Sequence, residues 1–156
     1  MPHASSSDNG AVDILRWDLP SDFRWLGVIN AALQEIGQAL DWEQDALNQI
    51  SIASIEAVSN AIEHGNRFDG SLRVSIELGV GENRFRIAVT DGGPGFPVDR
   101  LDAEAPSPDD PAFLGARGRG IFIMREIMDS IRIRRDEAGR FVVELEKAVG
   151  GDTVDG

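Results

Sequence analysis

The sequence predicts an α+β two-layer sandwich, a mainly antiparallel sheet covered on one face by helices. Three observations predict it. Short segments alternate apolar and polar residues, the period of a half-buried strand, as in Leu72, Val74, Ile76 and Leu78. Longer segments repeat apolar residues every three or four positions, the helical period, as in Leu47, Ile50, Ala53, Ala57 and Ala61. The segments follow one another as β-α-α-β-β-loop-α-β-β, an order in which neighbouring strands form hairpins and the helices share one sheet face.

In chain order, residues 1–10 read as a polar, disordered arm. Val12 to Leu19 reads as an edge strand ended by Pro20. Ser21 or Asp22 is placed to cap a helix reaching about Leu40, with Phe23, Leu26, Ile29, Leu33, Ile36 and Leu40 at near-helical spacing. Asp41 is the expected cap of a second helix from Trp42 to about His64, closed by Gly65 or Asn66 in the left-handed conformation. Strands Leu72–Leu78 and Phe85–Val89 follow, joined by a turn at Gly79 and Gly81. Asp99 to Arg117 is rich in Pro, Asp and Ala and reads as a long lid or disordered loop with at most one short helix. Gly118-Arg119-Gly120 is expected to open a helix carrying Ile121, Met124, Ile127 and Met128. Ile131–Arg135 and Phe141–Glu146 form a final hairpin around Glu137-Ala138-Gly139. One domain over residues 11–148 is expected, with a flexible tail at 149–156.

Composition narrows the function classes. The chain has 156 residues, enough for one domain with its own core. Hydrophobic residues make up 42%, yet no apolar run approaches the ~20 residues of a membrane span. Met1 to Gly10 lacks the apolar stretch of a secretory signal. The absence of cysteine removes disulfides and thiolate metal sites and fits a cytoplasmic protein. A net charge of −12 argues against direct nucleic-acid binding. Such a surface either steers a basic partner or simply serves solubility. Lys147 is the only lysine and no Gly-Lys step occurs, which excludes a P-loop. A eukaryote-type protein kinase is excluded as well, because it needs a strand lysine and a longer chain. Nucleotide chemistry here would fall to backbone amides, arginine and metal.

Three motifs carry candidate chemistry. Glu56, Asn60 and His64 stand at four-residue steps, which on a helix gives one polar stripe. A base and a metal-holding amide one turn apart suit chemistry on a magnesium-bound phosphate. Alone, the stripe also reads as a partly exposed helix face. Asp91-Gly92-Gly93-Pro94-Gly95 directly follows a strand, where glycines permit close ligand approach and Asp91 can accept from an exocyclic amine. The same residues also make ordinary turns. Gly115-Ala116-Arg117-Gly118-Arg119-Gly120 precedes the expected third helix, a natural anion site with two arginines beside it, or a flexible linker. Together, and in this order, the motifs are far more specific than apart.

In these motifs the chain closely resembles the GHKL, or Bergerat-fold, ATPase superfamily over roughly residues 12–147. It is most similar to the stand-alone bacterial anti-sigma factor serine kinases. Glu56-x-x-x-Asn60-x-x-x-His64-Gly65 resembles the N-box, Asp91-x-Gly93-x-Gly95 the G1 box, and Gly118-x-Gly120 with the following Ile121 to Asp129 the G2 region. The final hairpin departs from the family's frequent Gly-Thr step, since Arg140 follows Gly139. The resemblance implies that Asn60 holds Mg²⁺ on ATP and that Glu56 is the general base. It implies that Asp91 reads the adenine amino group and that Gly93 and Gly95 pack on the nucleotide. Arg117, Gly118, Arg119 and Gly120 would close over the phosphates with the lid, the lid arginine being Arg117 or Arg119. His64 carries no assigned role beyond packing or capping the helix end.

The implied function is an ATP- and Mg²⁺-dependent serine/threonine kinase and anti-sigma factor. It would hold a sigma factor or similar client and phosphorylate a STAS-type anti-anti-sigma partner. A non-catalytic anti-sigma module is the alternative, and the ATP-binding half of a split histidine kinase a third reading. The family further implies a homodimer, for which the Ser21–Leu40 helix with Trp25 is the expected surface.

Overall fold

The computed structural model describes residues 12–92 and 111–150, with 111–118 described in backbone only. The expected arm at 1–10, Gly93, Gly95, the loop at 99–110 and the tail beyond 150 lie outside the described residues. The sheet has five strands: β1 (Asp13–Pro20), β2 (Arg73–Val80), β3 (Arg84–Thr90), β4 (Ser130–Arg135) and β5 (Phe141–Ala148). Its order is β1-β2-β3-β5-β4, and every neighbouring pair is antiparallel. The expected α+β sandwich is therefore the observed one. The β4–β5 hairpin folds back so that β5, not β4, pairs with β3, with Thr90 opposite Val142.

Three helices cover one face: α1 (Leu26–Ala39), α2 (Gln44–Asn60) and α3 (Pro111–Ile127). Alternation explains which face they choose. Val74, Ile76 and Leu78 of β2, Phe85, Ile87 and Val89 of β3, and Phe141, Val143 and Leu145 of β5 are buried under the helices. α2 runs through the middle of the layer, and its expected stripe Leu47, Ile50, Ala53, Ala57 and Ala61 is buried throughout. Each fully buried aliphatic side chain stabilises the fold by roughly 1.5–3 kcal/mol. Trp42 anchors the start of this layer, with its Nε1–H donating to the Gly81 carbonyl at 2.9 Å and its ring edge-on to Phe85.

Several local expectations are corrected. Asp22 does cap, accepting from the Arg24 amide, but the first turn is a 3₁₀ turn at Phe23–Trp25. Asp41 is not a helix cap: it takes φ 54°, closing α1, with the Trp42 amide bonded back to the Gly37 carbonyl at 2.9 Å. Asp tolerates the left-handed region because its short side chain hydrogen-bonds locally. Past Asn60 the chain passes into a π-helical turn, Ala61–Gly65, and the left-handed residues that follow it are Arg67 and Phe68 rather than Gly65 or Asn66. Gly79 lies within β2, opposite Ile14 and Arg86, so the turn starts only at Gly81. Val149 is buried and bonded to Asn83, so the tail is docked at its first residue.

The largest correction concerns α3. Gly118 and Gly120 lie inside this helix, which begins at Pro111. Proline suits a first helical turn because its missing N–H has no intrahelical partner there. The expected lid thus surrenders residues 111–117 to a helix of 17 residues.

Candidate nucleotide site

The C-terminal end of α2 carries the site. Glu56 and Asn60, one turn apart, both face Gly120 of α3. A Cβ built on Gly120 would lie 2.9 Å from Glu56 Oε2 and 3.0 Å from Asn60 Nδ2. The absent Cβ at Gly120 thus leaves room for the ends of Glu56 and Asn60, inside a helix rather than at the helix start that the sequence suggested. Interior helix amides are bonded to carbonyls one turn back, so Gly118 and Gly120 do not offer their N–H groups to an anion. Arg119 is exposed on α3, and Arg117 belongs to its described backbone alone. His64 sits in the π-helical turn that follows α2, with its Nε2 3.8 Å from Glu63 Oε2.

Asp91 directly follows β3 and is 4% exposed. Its carboxylate packs against Gly65, where any Cβ would overlap it. Its amide donates to the Phe141 carbonyl at 3.3 Å. Beside it, Asn66 is 2% exposed and uses its side chain fully. Nδ2 donates to Ser21 Oγ at 2.6 Å and to the Arg73 carbonyl at 3.1 Å, while Oδ1 accepts the Gly92 amide at 2.8 Å. Ser21 in turn donates to the Leu72 carbonyl at 2.7 Å.

Between these groups lies a cleft lined by Ala57, Asn60, Ala61, Val89, Asp91, Ile121, Phe141 and Val143, with a volume of about 10 Å³. Small-molecule sites run to about 300–1,000 Å³, so a base must push the cleft open. The residues nonetheless fit a magnesium nucleotide. Asn60 Nδ2 is buried without a hydrogen-bond partner among the described residues. An orphaned buried amide costs about 1–3 kcal/mol, a cost that a ligand accepting its hydrogen bond would remove. Asn60 Oδ1 is a hard oxygen, the donor type Mg²⁺ prefers, and Mg²⁺ commonly takes only one or two protein ligands beside phosphate. No cluster of three acidic or histidine ligands occurs among the described residues, so an all-protein metal cage is not part of the site they form.

The fold, a five-stranded antiparallel sheet with helices on one face, is matched by comparison with known proteins. Residues 19–147 match the histidine kinase-like ATPase domain family. The chain belongs to that family. Among curated relatives, the serine-protein kinase RsbW of Bacillus subtilis (strain 168) is 27% identical over 147 residues, covering 92% of this chain and 90% of that one. RsbW of Bacillus licheniformis is 29% identical over 148 residues, covering 93% and 91%. A solved structure, the SiaB–SiaC complex from Pseudomonas aeruginosa, superposes with a TM-score of 0.57 at 15% identity, covering 90% of this chain and 92% of the matched one. It supports the fold.

In this member of the histidine kinase-like ATPase domain family, Asn60 and Asp91 line one cleft and Glu56 lies beside Asn60 against Gly120, while the hydrogen bonds of Asn66 and Ser21 next to them had no sign in the sequence. Asn66 stood out only as a helix-ending residue. Its bonding partners come from β1's end, β2's start and the residues after β3, which only the closed sheet brings together. No helix among the described residues is long and apolar enough to cross a membrane.

Proposed function

We propose that this protein is an ATP-dependent serine/threonine protein kinase and anti-sigma factor of a cytoplasmic bacterial partner-switching system. Its acceptor would be a STAS-type anti-anti-sigma factor, and its client a sigma factor or similar regulator. The observation that carries the reading is the orphaned Asn60 amide beside the Glu56 carboxylate, both roofed by Gly120. The curated RsbW relatives, matched over nearly their whole length, support it.

In this mechanism Asp91 accepts a hydrogen bond from the adenine amino group, and Gly93 and Gly95 pack on the nucleotide. Asn60 holds the metal, which when bound neutralises phosphate charge and aligns the triphosphate. Glu56 takes the proton of the partner's serine or threonine hydroxyl. That oxygen bonds to the γ-phosphorus, the bond to the β–γ bridging oxygen breaks, and ADP leaves. Arg117 or Arg119 offsets charge on the transferring group. Phosphorylation adds about −1.5 to −2 charges to the partner. Against a protein of net charge −12, that repulsion favours release.

Incubating the protein with a STAS-type partner and labelled ATP tests the reading. Acid-stable phosphate on the partner is expected, reduced at least about 100-fold by Glu56→Ala with ATP binding retained. Undiminished transfer by Glu56→Ala contradicts the base assignment. The narrow cleft favours one second reading, a non-catalytic anti-sigma module: equal client binding with and without ATP, and no transfer, selects it. Homodimerisation through α1 and the preceding turn belongs to the proposal; Phe23 and Val28 are exposed there while Trp25 is half-buried. A monomer in sedimentation at micromolar concentration contradicts it.

A further inference from the structure

We propose that Asn66 is a positioning residue that aims the Asp91 carboxylate into the cleft and so sets the preference for adenine. The inference rests on the ATP reading above and adds a residue to it. Asp91 lies between two peptide planes, and each is pinned. The plane before it is held by its own N–H on the Phe141 carbonyl of β5. The plane after it is held by the Gly92 N–H on Asn66 Oδ1. Because peptide units are planar, fixing both planes fixes the backbone angles of the residue between them. The missing Cβ of Gly65 then leaves the carboxylate its space.

Asn66 suits this task because its orientation is forced. The Gly92 N–H can only donate and the Arg73 carbonyl can only accept, so Oδ1 and Nδ2 cannot exchange places. Ser21 gives its proton to the Leu72 carbonyl, which leaves its oxygen to accept from Nδ2. The Asn66 amide nitrogen itself donates to the Ala61 carbonyl at 2.8 Å, the bond that closes the π-helical turn. One residue therefore ties the end of the Asn60-bearing helix to the strand end that carries Asp91. The change Asn66→Asp would keep the Gly92 bond and set an oxygen against the Arg73 carbonyl. Asn66→Ala would release Gly92 altogether.

The test compares wild type, Asn66→Ala, Asn66→Asp and Ser21→Ala for binding of ATP, GTP and inorganic triphosphate, each with Mg²⁺. In parallel, amide exchange at Gly92 and the carboxyl resonance of Asp91 are followed by NMR. In Asn66→Ala the ATP-over-GTP preference should fall about tenfold, the worth of one hydrogen bond, with triphosphate binding unchanged. Asn66→Asp and Ser21→Ala, which keep the Gly92 bond, should retain the preference. A proportional loss for all three ligands, with the preference intact, overturns positioning in favour of a merely structural role. Should wild type bind no nucleotide, the ATP reading fails and the adenine preference with it, and NMR decides only whether Asn66 positions Asp91. A shifted Asp91 titration and faster Gly92 exchange in Asn66→Ala uphold it, and unchanged signals overturn it. If the Asn66 variants do not fold, the wild-type Gly92 amide serves: slow exchange upholds the clamp, and exchange at the rate of an open loop removes it.

Discussion

Asn60 and Asn66 flank one π-helical turn, yet their surroundings are opposite. Asn60 keeps a buried amide nitrogen without a partner among the described residues, while Asn66 uses three side-chain hydrogen bonds. The contrast separates two tasks. Groups meant for a ligand are left unsatisfied and cost stability; groups that hold the site are saturated and supply it. The π-helical turn lets both coexist, because the extra residue it absorbs rotates Asn66 away from the cleft-facing stripe and towards the sheet.

Removing Asn60 probes the unsatisfied end and carries the largest expected effect. Asn60→Ala should lose phosphotransfer by about 100-fold or more while the melting temperature holds or rises, since no hydrogen bond of its amide nitrogen is lost. Transfer assays beside thermal melts check this. Asn66→Ala attacks the saturated end. A cost of about 1–2 kcal/mol in denaturant unfolding is expected, because the part-buried Gly92 amide and Arg73 carbonyl and the buried Ser21 hydroxyl lose their partner. A cost within about 0.5 kcal/mol, typical of a plain surface site, would dissolve the contrast.

Gly120→Ala approaches the unsatisfied pair from α3. The new methyl displaces the ends of Glu56 and Asn60 rather than backbone. Activity should fall about tenfold, while helix propensity offsets the crowding by up to about 1 kcal/mol. Kinetics and melting on one preparation would reveal the split; parallel losses in both would contradict it.

The helix-free face supplies the smallest effect. There Arg16, Glu77, Arg86, Glu144 and Arg134 form a chain of ion pairs across the sheet. Burial pushes the Glu144 carboxyl up, but hydrogen bonds and charge from Arg134 and Arg86 outweigh it and hold the group below the usual carboxylate value. A lowered acid contributes stability above its unfolded pKa of about 4.3, lost as pH falls through the lower folded value. Glu144→Gln should cost under about 1 kcal/mol at neutral pH, the part-exposed arginines being screened by water. The difference from wild type should close in acid, as denaturant titrations from pH 7 downward would register.

Legibility in the sequence followed the range of the interactions involved. Strand alternation and the α2 stripe depend on near neighbours, and the sheet, its helical cover and the buried Leu47 to Ala61 stripe match those expectations. The placement of Glu56 and Asn60 one turn apart was readable for the same reason, both lying on one uninterrupted helix. The expected helix through His64 ends as α2 at Asn60 and passes into a π-helical turn, an irregularity that local periodicity does not register. Gly118 and Gly120 were read as a helix start, whereas both lie inside α3 and Gly120 packs against Glu56 and Asn60, a contact between distant segments. Asn66 was illegible as a clamp, since its partners lie at the ends of β1, β2 and β3. Gly93, Gly95 and the acidic loop fall outside the described residues.

If the cleft between α2 and Asp91 is an adenine-nucleotide site, calorimetric titration with ATP and Mg²⁺ will give saturable binding. The same titration will be weak with GTP and flat with Asp91→Asn. No heat of binding at millimolar ATP, or equal binding by Asp91→Asn, would contradict the assignment and leave the protein to be studied as an interaction module.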